Sequence, residues 1–111
     1  MKEAPLFTDA YDLHSWLLDR FAPLETHREL GCAVLDHSRQ LLNAISLALA
    51  RFDTAERLIE ADEQATLLRV QLRLASDKEL LNDRQLLHAN ERLRDIGRQI
   101  GGWRKKLAGV E

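Results

Sequence analysis

The chain has 111 residues, enough for one domain and too few for two, and a chain of this size buries roughly two-thirds of the surface it exposes when extended. Its residues are 45% hydrophobic and 31% charged, too apolar for a disordered chain, and a formal charge of -2 excludes a cationic grip spread over the whole surface. The single cysteine, Cys32, excludes an intrachain disulfide. Charges interrupt every apolar segment before membrane-spanning length, and the opening MKEAPLFTDA lacks the apolar run of a signal peptide, so a cytoplasmic protein is expected.

Four helical segments are predicted in chain order, and no proline follows Pro23 to break them. The first runs from about Asp9 to Phe21, capped by Thr8 or Asp9, with Leu13, Trp16, Leu17 and Phe21 recurring at three- and four-residue steps. Thr26 and Glu29 have capping-box spacing and open the second, which Leu30, Val34, Leu41, Ile45 and Ala48 carry to about Arg51, with His37 in the same stripe. Beside that stripe, Leu35, Leu42 and Leu49 form a second line at seven-residue steps. A helix with two apolar lines has more to bury than one neighbour covers, which points to a subunit contact.

Asp53 and Glu56 repeat the capping-box spacing and open the third segment, whose line is Leu58, Ala61, Ala65, Leu68, Leu72 and Ala75. Leu67 and Leu74 add a flanking seven-step pair, and the segment stops near Ser76 and Asp77. Asn82 and Gln85 cap the fourth, which presents Leu86, Ala89, Leu93, Ile96, Ile100, Trp103 and Leu107. Alternating three- and four-residue steps with short joints predict an all-α, antiparallel up-down-up-down four-helix bundle over residues 8–107, with flexible ends at 1–7 and 108–111. A three-helix bundle with a loosely attached first segment is the competing architecture.

Little in the chain suggests catalysis. His14, His27, His37 and His88 are scattered and form no HExxH or ExxH pair, so no metal or other cofactor is expected. His37 could pair with an acid of a facing helix or be an ordinary core histidine with one hydrogen bond. Cys32 precedes the core residue Ala33 and reads as structural, and no serine sits in a nucleophile elbow. A non-enzymatic protein is the expectation.

Two features ask for a physical reason. Gly97 and Gly101 lie four apart inside the fourth helix, where each costs about 1 kcal/mol relative to alanine. Close approach of another helix or subunit would offset that, whereas a bent helix end would need no purpose. Charge is also uneven: residues 1–55 hold five basic and eight acidic groups, and residues 84–106 hold seven basic and two acidic. Arg69 and Arg73 flank the core line of the third helix, while Arg94, Arg98 and Lys105 lie away from that of the fourth, with Arg104 nearby. Such a stripe is compatible with phosphate contacts, but cations favoured at helix C-termini and paired with acids of other subunits account for it more simply.

The stretches Glu60-Ala61-Asp62-Glu63, Leu67 to Ala75 and Ile96-Gly97-Arg98-Gln99-Ile100-Gly101-Gly102-Trp103, with Tyr11-Asp12-Leu13, Trp16-Leu17 and Leu30-Gly31, carry a resemblance. They resemble a bacterial four-helix-bundle family that includes the accessory variability determinant of diversity-generating retroelements and the proteins encoded in 23S ribosomal RNA intervening sequences. The resemblance spans roughly residues 8–107 and implies a homopentameric ring. In the retroelement branch it implies a basic accessory that binds the reverse transcriptase and RNA or DNA; here the first half of the chain is acidic. Arg98 and Trp103 match family positions, Trp103 as a packing residue. The partners expected are therefore other copies of the chain and nucleic acid or a reverse transcriptase, with a purely structural or protein-binding adaptor as the alternative.

Overall fold

A computed structural model describes residues 4–109. Four helices follow one another: α1 (Pro5–Phe21), α2 (Arg28–Leu49), α3 (Thr54–Asp77) and α4 (Asp83–Leu107). Each packs on its neighbours in sequence and α4 closes back on α1, while among the described residues the backbones of the diagonal pairs stay apart. This is the up-down-up-down order that short joints dictate, in a rod of 45 × 24 × 23 Å.

The apolar lines meet on the bundle axis. Leu13, Leu17, Val34, Ile45, Leu58, Leu68, Leu93 and Ile100 are all buried there. The joints are sealed by residues with no place in the helical periodicity: Leu81, buried in the α3–α4 joint, and Leu24 and Leu80, half-buried against the core.

α1 begins at Pro5 rather than Asp9, and neither Thr8 nor Asp9 caps it. Proline at the first helical position lacks only an N–H that would have no partner there, and its ring pre-sets the helical φ. The added turn buries Leu6 and makes α1 a 17-residue member of the bundle, which excludes the three-helix architecture. Pro5, Leu6 and Phe7 thus belong to the helix rather than to a flexible end; residues 1–3 and 110–111 lie outside the described residues.

The capping boxes expected at Thr26–Glu29 and Asp53–Glu56 do not form. α2 starts one residue later than that spacing requires, with His27 at its N-cap in the left-handed region at φ 52. Asp53 does occupy the α3 N-cap, but at φ 51 its carboxylate makes no capping hydrogen bond. The hydroxyl of Thr54 donates instead to the Ala48 carbonyl at 3.1 Å and ties the joint together. α2 ends at Leu49, and Arg51 lies in the turn beyond it at φ 71. At α4 the box is complete: Asn82 Oδ1 accepts from the Gln85 N–H at 2.8 Å, and Gln85 Oε1 from the Asn82 N–H at 2.9 Å.

Candidate functional site

The basic residues of α3 and α4 separate into two groups. Arg69 donates from Nη2 to the main-chain carbonyl of Leu93 at 3.1 Å, so it works as a link between α3 and α4. Arg104 reaches Asp62 of α3 at 2.7 Å, and Arg98 pairs with Asp95 one turn before it. Arg73, Arg94 and Lys105 are exposed and make no ion pair among the described residues. Arg104, Lys105 and Lys106 occupy the last turn of α4, where cations complement the helix dipole.

The apolar candidates sit on a different side. Leu35, Leu42 and Leu49 of α2 and Trp103 of α4 are half-buried against the core, and Trp103 lies 6.0 Å from the Arg51 guanidinium. Gly97 and Gly101 meet no other backbone within the chain. A Cβ at 97 would find Arg69 Nη2 at 3.6 Å, and one at 101 would find open space. The glycine that faces a neighbouring helix end is Gly31, which is buried and whose Cβ would lie 3.5 Å from the Phe21 carbonyl oxygen.

The sequence reading found only half of the outer apolar face of α3. Leu67 and Leu74 were visible as a seven-step pair, but Ile59 and Val70 complete a ridge pointing away from the buried line, with Val70 59% exposed. Its signal is an apolar residue on nearly every face of one helix, easily lost because each face taken singly looks sparse. A second exposed apolar strip lies on α1, where Tyr11 stacks on Phe7 at 5.7 Å and Leu18 follows at helical spacing.

Polar groups inside the bundle link helices. Ser38 is buried and donates to the Leu35 carbonyl at 3.2 Å, so its oxygen accepts from the Nδ1–H of His14 across the α1–α2 joint. Burial, and secondarily the Arg39 charge, hold the His14 pKa below its ordinary value. His37 meets no acid on the facing helix; its Nδ1–H donates to Gln64 Oε1 at 2.7 Å. His88 stacks 4.9 Å from the Trp16 ring, which Arg20 also covers at 4.5 Å. Cys32, read as structural, is exposed, and Ala33 beside it, read as core, is half-buried. Among the described residues no three His, Cys, Asp or Glu side chains converge in a metal-binding group, and no helix is long and apolar enough to cross a membrane.

A family model described as bAvd-like matches residues 11–107, which takes in all of α2, α3 and α4 and most of α1. No curated protein and no solved structure matches the chain.

Proposed function

This chain belongs to the bAvd-like family, and on that premise we propose that it is a non-enzymatic cytoplasmic accessory bundle that assembles with copies of itself and presents cations to nucleic acid, alone or held by a reverse transcriptase. The observation that carries the proposal is the exposure of Arg73, Arg94 and Lys105, which, with Arg84 and Lys106, make no ion pair among the described residues, whereas Arg57, Arg69, Arg92, Arg98 and Arg104 are engaged. Free guanidinium and ammonium groups on one pair of helices suit phosphate oxygens, and binding of that kind weakens with salt because condensed counterions are released. A ring of five copies, as the family resemblance implies, would multiply the contribution of these groups by avidity.

Fluorescence anisotropy with a labelled single-stranded RNA and a single-stranded DNA tests the reading. Binding is expected at low salt, falling by tenfold or more between about 50 and 200 mM salt and weakening in Arg73→Gln/Arg94→Gln. If the assembled protein binds neither strand at low salt, the adaptor reading takes its place. That second reading has its own support: Arg98 and Arg104, two of the candidate nucleic-acid contacts, are already paired with Asp95 and Asp62.

A further inference from the structure

Among the described residues, two of the exposed apolar strips are unlike each other. One is the outward ridge of α3, with Ile59, Leu67, Val70 and Leu74. The other is the seam between α1 and α2, where exposed Tyr11 and Leu18 lie on either side of His14, and half-buried Leu35 and Leu42 on either side of Ser38. The His14–Ser38 hydrogen bond brings the two sets together. We infer that the α3 ridge of one copy seats on the α1–α2 seam of the next, making a heterologous, head-to-tail contact; this rests on the self-assembly proposed above and names the surfaces that carry it.

The levels along the bundle axis favour this occupant. His14, Ser38, His37 and Gln64 mark one height, because His14 bonds Ser38 and the adjacent His37 bonds Gln64. α1 and α3 run one way from that height and α2 the other. Leu67 on α3 therefore stands level with Leu18 and Leu35, and Ile59 level with Tyr11 and Leu42, each within about one helical turn. Glu63 precedes Gln64 and Arg39 follows Ser38, so an exposed acid of the ridge stands level with an exposed base beside the seam. In the isolated chain that base pairs with Asp36 of its own helix, and it would be shared with Glu63. Copies related by rotation about an axis along the bundle keep their heights. Ile59 and Leu67 then meet apolar groups and Glu63 meets Arg39, while Val70 stands level with Arg20 and Cys32.

Pairing α3 with itself about a two-fold axis does less well. Setting Ile59 opposite Leu74 puts Glu63 on Val70, a carboxylate losing water against a methyl surface with no partner. It also leaves the seam bare. A head-to-tail contact covers the seam and the Ile59–Leu67 part of the ridge, and repeats until the ring closes.

Light scattering on separate and mixed variants tests the pairing, with circular dichroism to verify helix content. The parent is expected to assemble, while Leu67→Glu on the ridge and Leu18→Glu on the seam are each expected to be monomeric, since both residues are exposed in the chain. Mixed, they should form a one-to-one complex and nothing larger, because one intact ridge and one intact seam remain. Glu63→Arg and Arg39→Glu should each weaken assembly at least tenfold, and their combination should restore it. A parent that stays monomeric would defeat self-assembly altogether. An assembled parent whose Leu67→Glu variant also assembles, or whose two variants fail to combine, would defeat only this pairing, and neither outcome depends on nucleic-acid binding.

Discussion

Arg69 on α3 donates to the Leu93 carbonyl of α4 at 3.1 Å, passing beside Gly97, where a Cβ would stand 3.6 Å from the donating nitrogen. The arginine flattens onto α4 because the glycine leaves the path clear. This gives Gly97 a local reason to lack a long side chain, beyond any contact with another subunit.

Gly97→Ala should therefore be tolerated, since 3.6 Å is an ordinary contact, and it should gain up to about 1 kcal/mol from helix propensity. Gly97→Leu should forfeit that gain, because the longer side chain claims the space of the guanidinium and breaks a hydrogen bond worth about 1 kcal/mol. Gly101→Ala, with nothing near its Cβ, should stabilise the isolated fold by about 1 kcal/mol. Urea midpoints measure all three, and equal gains for the alanine and leucine variants at 97 would remove the Arg69 argument.

Asp9 joins the first helix to the last: Gln99 Nε2 donates to its Oδ2 at 2.8 Å, and Arg92 lies 3.8 Å from its Oδ1. The Asp9 carboxylate is partly sheltered, so Asp9→Ala should destabilise by about 1 kcal/mol, mostly through the lost Gln99 bond. Hydrogen exchange should show α1 and α4 loosening while the α2–α3 contact stays protected. Uniform loosening of all four helices would argue against a local tie.

Asn82→Ala should cost about 1 kcal/mol, since both halves of the α4 capping box are made. Thr26→Ala should change stability by less than about 0.5 kcal/mol, because its box is absent. Thermal melts of the two variants compare them directly. Equal losses would mean that Thr26 acts through some contact other than a cap.

His14 sets a pH dependence whose sign follows from its surroundings. With its pKa lowered by burial and by Arg39, the folded chain resists the proton that the unfolded chain accepts near the ordinary value of 6.5. The His14 contribution to stability is complete above pH 6.5 and declines as pH falls through that value towards the folded pKa. His14→Gln should remove this share of the slope when urea unfolding is compared at about pH 7.5 and about pH 5.5. If parent and variant lose stability in parallel, another group is responsible.

The helices and their buried lines were legible in the residue pattern because periodic burial is a local property: Leu68, Leu93 and Ile100 fall at helical spacing and are inside. Caps were legible only where the backbone allowed. Asn82 is extended at φ -83 and ψ 173 and completes its box, whereas Asp53 at φ 51, with equivalent spacing, does not. Spacing states which groups can meet; the dihedral angles of the joint, set by how the helices dock, state whether they do.

The sequence by itself determined that four amphipathic helices fold back on one another, since apolar side chains at steps of three and four can leave water only by that arrangement. Which charges remain free was decided by the tertiary structure. Arg69, Arg98 and Arg104 are tied to a carbonyl and two carboxylates, one of them 42 residues away in the chain, while Arg73, Arg94 and Lys105 are left to solvent. Ile59 and Val70, which complete the outer ridge begun by Leu67 and Leu74, also came into view only with the fold, because an apolar residue is unpartnered only once every neighbouring helix has taken its place.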